Sequence, residues 1–366
     1  MALNIGIVGL PNVGKSTLFN ALTRAQNAKA ENFPFCTIEP NTAVVPVPDG
    51  RLAVLADMVH PQAIVPATVE FVDIAGLVKG ASRGEGLGNK FLANVRDASA
   101  ILHVVRCFEN PDIVHVEGSI DPVRDVDVIE TELLLSDLEI VEARAARLGK
   151  VAKADPKARP ELEAVEALKA HIEAGNPVRT FPGHDDDALA AALREGRFLT
   201  DKTVIYVANV DEASVSADNA FAAALRARAA ERGCECVRIC AAVEQDMAGL
   251  SDEERAEFLS SYGIEQSGLD AIIRSGYKAL GLASFLTAGP KEVRAWTFRR
   301  GWKAPKCAGV IHGDFERGFI RAQVVSYDDF VRNGGEKRCR ELGLVREEGK
   351  EYEMRDGDMV EFLFNV

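Results

Sequence analysis

The sequence has no apolar run that approaches the roughly 20 residues of a membrane span. Its opening residues, Met1–Asn4, carry no basic stretch or small-residue cleavage site and lead straight into an apolar segment, so a cytosolic chain without a membrane partner is expected. Positive charge is in short supply: 43 Lys and Arg stand against 56 Asp and Glu, for a formal charge of -13. Phosphate contacts need clustered cations, so this balance excludes a protein that wraps nucleic acid with its whole surface but leaves room for a local basic face. The seven cysteines are odd in number and show no framework spacing, which predicts reduced thiols. Cys234, Cys236 and Cys240 lack a matching second pair and a nearby histidine, and read as buried strand cysteines better than as a metal site.

The bulk composition, 47% apolar and 27% charged, is that of an ordinary globular protein, and 366 residues exceed one simple core, so two or three domains are expected. The segment Gly9 to Ser16 fits G-x-x-x-x-G-K-[ST]. An apolar run (Leu3, Ile5, Ile7, Val8) precedes it and a helical pattern beginning at Thr17 follows. In that context the glycines let successive backbone N–H groups turn toward an anion at a helix N-terminus. Asn12, Val13, Gly14, Lys15, Ser16 and Thr17 are thereby candidate nucleotide-binding residues. Lys15 is expected to reach the β- and γ-phosphates, and the Ser16 hydroxyl to ligate Mg²⁺.

Two further stretches have the character of nucleotide switches. Glu31–Pro40 is punctuated by proline and cannot form a regular helix; Thr37 is the candidate metal-contacting threonine there, with Thr42 as its competitor. Val69–Gly76 reads as a strand ending in Asp-x-x-Gly, in which Asp73 holds Mg²⁺ through water and the Gly76 N–H meets the γ-phosphate. Gly76, Gly80, Gly84, Gly86 and Gly88 then punctuate one stretch, an arrangement suited to a segment that nucleotide or a partner orders.

Beyond these, Leu134, Leu138, Val141, Ala145 and Leu148 alternate steps of four and three, and Leu162, Val165, Leu168 and Ile172 form a second stripe, with a break from Gly149 to Pro160. Two antiparallel helices, either an interaction arm or a solvated insertion, are predicted. Apolar runs at Ile101–Val105, Thr203–Ala208 and Cys236–Cys240 read as strands of a doubly wound sheet whose ligand lies across their C-terminal ends. From about Gly281 short alternating segments predict a separate β-rich domain. There Lys291, Arg294, Arg299, Arg300, Lys303 and Lys306 face only Glu292 and interleave with Trp296, Phe298 and Trp302, which suits contact with RNA.

Taken together, Gly9–Thr17, Asn32–Thr37, Asp73–Gly80 with Gly84–Gly88, and Phe285–Pro290 resemble the YchF family of Obg-like ATPases in motif, order and spacing over nearly the whole chain. The resemblance implies an α/β fold: a Ras-like doubly wound P-loop NTPase domain (1–127 and 200–280), a helical coiled-coil insertion (128–199) and a C-terminal TGS domain of β-grasp type (281–366). It implies ATP as ligand and the ribosome, its large subunit in particular, as partner, with rRNA as a possible contact of the basic TGS face and a monomeric chain.

The base-reading residues agree on chemical grounds. GTPases use Asn-Lys-x-Asp, whose aspartate accepts two hydrogen bonds from guanine; here Val210 stands at the lysine position and Glu212 at the aspartate position. By resemblance Asn209 and the Val210 backbone contact adenine. Leu77 stands where Ras-like GTPases place a water-orienting glutamine, so hydrolysis needs another group. His103 is the candidate for positioning water, and Asn12 a candidate ligand for K⁺. The reading is a slow Mg²⁺-dependent ATPase switch. Its rivals are a GTPase of the same superfamily and a scaffold in which nucleotide is only a structural ligand.

Overall fold

The computed structural model describes residues 3–28, 41–74, 87–247 and 249–365. Two compact units emerge. The described part of the first comprises 3–24, 41–43, 71–74 and, apart from 248, 87–272; that of the second comprises 25–28, 44–70 and 273–365.

The strands are β1 (Asn4–Val8), β2 (Thr42–Pro46), β3 (Ala63–Val65), β4 (Thr68–Asp73), β5 (Ala100–Arg106), β6 (Thr203–Asn209), β7 (Glu235–Ile239), β8 (Leu282–Ala288), β9 (Glu292–Arg299), β10 (Phe319–Ser326), β11 (Arg346–Glu348) and β12 (Asp358–Phe364). One six-stranded sheet has the order β2-β4-β1-β5-β6-β7. β1 pairs in parallel with β5, β5 with β6 and β6 with β7. All seven residues of β5 are buried, as a strand covered on both faces requires. The crossing order places the ends of β1, β5, β6 and β7 side by side, where an open α/β sheet binds its ligand.

Helix α1 (Lys15–Ala28) leaves the phosphate loop directly. Further along lie α2 (Gly50–Val59), α3 (Leu87–Asp97) and α4 (Pro122–Ala154). Asp121 caps α4 by accepting from the Arg124 N–H, and Pro122 occupies the first helical turn, where its missing N–H costs nothing. The sequence pattern predicted a break from Gly149; instead α4 runs unbroken through Gly149 to Ala154. A lone glycine costs a helix only about 1 kcal/mol, and the chain turns where Pro156 follows Asp155. Helix α5 (Arg159–Glu173) returns along α4.

A third helix, α6 (Asp187–Gly196), completes this helical part: Leu189 and Ala192 join Val141, Leu148, Val165, Leu168 and Ile172 in one buried cluster. The stripe noted in the sequence is therefore a core shared by three helices. Asp137 ties α4 to the segment entering β6. Fully buried, its carboxylate accepts from the Leu199 N–H (2.8 Å), the Thr200 N–H (2.8 Å) and the Thr200 hydroxyl (2.7 Å). The first unit continues with α7 (Ala220–Glu231) and α8 (Ala241–Met247).

The second unit holds a mixed sheet of order β11-β10-β12-β8-β9-β3. β8 and β9 form an antiparallel hairpin, β12 lies parallel beside β8, and the helix Ala304–Ile311 packs against β9 and β10, an arrangement of β-grasp type. Phe285, Phe298, Phe319 and Phe362 fill its core. At one edge, opposite β11, lies β3, which pairs in parallel with β9. Residues 44–70, assigned from the sequence to the nucleotide-binding part, thus contribute a strand to this sheet. An Ala-Ile-Val strand three residues long carries too little periodicity to reveal its partner.

Candidate functional site

The loop between β1 and α1 bends through positive φ at Asn12 (62°) and Gly14 (99°). Gly14 is irreplaceable on two counts: that dihedral, and a Cβ that would lie 2.2 Å from Asn209 Nδ2. Lys15, buried at 9% exposure, folds its ammonium back onto the carbonyls of Gly9 (2.9 Å) and Leu10 (2.7 Å). Burial lowers its pKa to about 8, and the Asp73 carboxylate opposes that shift. Asp73, at the end of β4, has its own pKa raised by burial against the pull of Lys15. Its Oδ1 is buried without a hydrogen-bond partner among the described residues.

Such an orphaned oxygen at the foot of a phosphate loop fits a hard divalent cation. Mg²⁺ takes one or two protein oxygens and completes its octahedron with water and phosphate, so the Ser16 hydroxyl and the Asp73 carboxylate suffice as a donor set. Among the described residues no group of three or more His, Cys, Asp or Glu side chains forms a self-contained metal cage, and Cys234, Cys236 and Cys240 are free thiols at β7. Thr37, Gly76 and Leu77 lie outside the described residues.

A cleft of about 720 Å³ opens over these strand ends. Asn12, Gly14, Lys15, Ser16 and Thr17 line one side. Asn209, Val210 and Glu212, followed by Cys240–Ala242 at the start of α8, line another; Phe108 and Ile113 add an apolar wall. Within it Asn209 has a different contact from the one expected. Its amide donates to the Val13 carbonyl (2.8 Å) and accepts from the Ala241 N–H (3.0 Å), so it joins the phosphate loop to the base loop. The Val210 N–H is likewise spent, on the Ile239 carbonyl (2.8 Å). Asp211 caps a short 3₁₀ turn through the Ser214 N–H (3.0 Å), which leaves Glu212 exposed at the cleft, as is Glu109 of the facing loop. Asn12 donates to the Val114 carbonyl at 3.1 Å.

His103 is not brought to this cleft. It sits mid-strand in β5, opposite Val8 and Tyr206, buried at 3% exposure with its ring 5.6 Å from that of Tyr206. Burial, and secondarily Lys15, push its pKa down to about 3, so the ring is neutral throughout the physiological range. A role in positioning water finds no support in that placement. What sequence reading missed is the loop 107–116, which supplies the apolar wall. Its only signals were Phe108 and Ile113 directly after a buried strand.

A phosphate loop on the first strand, an acid at the end of β4 and a base loop after β6 define a P-loop nucleoside triphosphatase of Ras-like topology. Residues 4–136 match the family described as a 50S ribosome-binding GTPase, and residues 282–365 match the C-terminal YchF GTPase family, described as a protein of unknown function. The chain is 54% identical to the ribosome-binding ATPase YchF of Haemophilus influenzae and 50% identical to that of Bacillus subtilis, in each case over the full length of both proteins. It superposes on the structure of the Schizosaccharomyces pombe YchF GTPase with a TM-score of 0.89 at 37% identity, covering 99% of this chain and 97% of that one. The chain belongs to the YchF family.

Proposed function

We propose that this protein is a Mg²⁺-dependent ATPase that binds the ribosome and couples its nucleotide state to that partner. The observation that supports this most directly is the cleft, lined by a phosphate loop with Lys15 and a base loop with exposed Glu212 instead of aspartate, together with the Asp73 oxygen that has no hydrogen-bond partner among the described residues. ATP entering the cleft draws the Lys15 ammonium from the Gly9 and Leu10 carbonyls to the β- and γ-phosphates. Water then attacks the γ-phosphorus, and ADP and phosphate leave. Mg²⁺, held by Ser16 and by Asp73 through water, supplies neutralisation of charge on the phosphate oxygens.

Glu212, a longer carboxylate in a different place, does not make the bidentate pair with guanine N1–H and N2–H₂ that the aspartate of Asn-Lys-x-Asp makes, whereas adenine offers no N1–H and loses nothing by the change. With Leu77 in place of glutamine the intrinsic rate is slow, below about 10⁻² per second, and depends on stimulation by the ribosome or by K⁺ held at Asn12. Thr37 and the Gly76–Gly88 stretch are the proposed γ-phosphate sensors.

The ribosomal contact is assigned to the large subunit, which accords with the description of the matched family, and to rRNA through the second unit. There Arg294 lies over the Trp296 ring (4.0 Å) and Lys306 over Trp302 (4.2 Å). Lys291, Arg299, Arg300 and Lys306 are exposed and have no carboxylate partner among the described residues. Arg294 lies 3.8 Å from Glu292, so these four are the cations open to phosphate, beside the aromatic faces that a single strand of RNA requires. The chain acts as a monomer and, among its described residues, no helix is long and apolar enough to cross a membrane.

Equilibrium binding of non-hydrolysable ATP and GTP analogues with Mg²⁺ tests the nucleotide assignment. ATP is expected to bind at least about tenfold more tightly, a difference of about 1.4 kcal/mol. Equal or tighter GTP binding overturns the adenine reading.

A further inference from the structure

The loop that walls the cleft is held at its far end by Asn12 (to the Val114 carbonyl) and by the buried His115–Asp125 pair (2.8 Å), and at its centre by one buried cation. Arg106 is the last residue of β5 and is only 1% exposed, yet it makes no ion pair among the described residues. Its guanidinium donates instead to three backbone carbonyls: Nε to Phe108 (3.1 Å), Nη1 to Ile113 (2.9 Å) and Nη2 to Asn110 (3.1 Å). It also lies 4.7 Å from the centre of the Phe108 ring. A rigid planar fork holds the three carbonyls in a fixed arrangement; the Asn110 carbonyl also accepts from the Ile113 N–H (3.3 Å).

The frame of reference matters as much as the bonds. Arg106 stands opposite Asn209 across β5 and β6, and the Cys107 N–H donates to the Asn209 carbonyl at 2.8 Å. Asn219 closes the loop from the other side, donating from Nδ2 to the Cys107 carbonyl (2.8 Å). Phe108 and Ile113 are therefore set against the same strand end that carries the base loop. They are apolar, and the base is the apolar, planar part of a nucleotide.

We propose that Arg106 is a positioning residue for the nucleoside half of the nucleotide, acting through the 108–113 wall and not on the phosphates. The proposal rests on the assignment of the cleft to ATP. It separates two quantities that a general loss of structure lowers together: affinity for the nucleoside and affinity for the phosphate chain.

The test compares the full-length protein with its Arg106→Met variant, measuring binding of an ATP analogue, binding of inorganic tripolyphosphate with Mg²⁺, and kcat at saturating ATP. Arg106→Met is expected to weaken ATP binding about tenfold or more while tripolyphosphate binding and kcat stay within about twofold. An ATP affinity within twofold of the parent, or a parallel fall in tripolyphosphate affinity, overturns the proposal. Asn219→Asp is the milder companion: the oxygen that caps α7 at Ala222 is kept, and the amide donor to the Cys107 carbonyl and the Ser214 hydroxyl is lost. It should show the same split to a smaller degree, and if Arg106→Met does not fold, an unsplit Asn219→Asp overturns the proposal by itself. Failure of the parent protein to bind ATP would instead refute the nucleotide assignment.

Discussion

The Asn209 side chain donates to the Val13 carbonyl at 2.8 Å, and so fastens the residue that opens the base loop to the middle of the phosphate loop. Its Oδ1 holds the Ala241 N–H as well, so one buried amide joins three segments of the cleft. Replacing it by alanine strands a buried carbonyl and a buried N–H, at about 1–3 kcal/mol for each unsatisfied group. Asn209→Ala should lower the unfolding midpoint and weaken ATP and ADP binding by similar factors, because the damage lies in the shared frame and not at the γ-phosphate. Paired titrations with both nucleotides check this; a loss confined to ATP contradicts it.

Lys15 gives the cleft a pH dependence. In the free protein its pKa is lowered to about 8 by burial, whereas an unfolded lysine titrates near 10.5. Below about pH 8 the ammonium is ready for phosphate. Above it the neutral amine must take up a proton when ATP binds, so affinity should fall by up to tenfold per pH unit between about 8 and 10. Stability of the free protein moves oppositely: the unfolded chain holds more protons in that window, so this group's contribution to folding rises with pH. Calorimetry of ATP binding at pH 9 in buffers of different ionisation enthalpy should detect uptake of a proton that vanishes in Lys15→Ala.

Base selectivity is the third expectation. Glu212 is exposed at the cleft while Asp211 is occupied at Ser214. Converting the pair of departures back, with Val210→Lys and Glu212→Asp, should raise GTP affinity relative to ATP by about tenfold or more, as a bidentate base contact is worth about 1–3 kcal/mol. An unchanged ATP to GTP ratio in competition binding would place selectivity elsewhere in the cleft.

The cleft was legible in the sequence to the extent that single residues announce their chemistry. Gly14, Lys15 and Ser16 form a motif because backbone torsion, charge and hydroxyl are each needed at a fixed offset, and Asp73 follows from a strand end near that motif. Packing was less legible. His103 looked like a strand-end group, but β5 extends three residues further, to Arg106, and buries it. Asn209 was read as a base contact because its position in the motif says nothing about where a rigid amide finds partners. The helical insertion gave up its long stripe but not α6, since Ala-rich Asp187–Gly196 has few large apolar residues to mark a face. Arg106 left no trace at all: its partners are carbonyls, which every residue has.

Asp137 yields the last prediction, one independent of nucleotide. Burial raises its pKa to about 6 from 3.8, although the Thr200 hydroxyl and the Leu199 and Thr200 N–H groups pull it the other way. A raised carboxyl binds its proton more tightly when folded, so its contribution to stability is greatest below about pH 4 and is lost as pH climbs to about 6. A shift of about two units corresponds to at most about 3 kcal/mol. Asp137→Asn removes this titration but sets an amide N–H₂ against donors. It should therefore unfold more easily at every pH while lacking the parent's decline between pH 4 and 6. Chemical denaturation of both proteins across that range measures the two effects separately. A parent stability that rises no less steeply than the variant's through the window would show that the three hydrogen bonds, and not burial, set the charge state of Asp137.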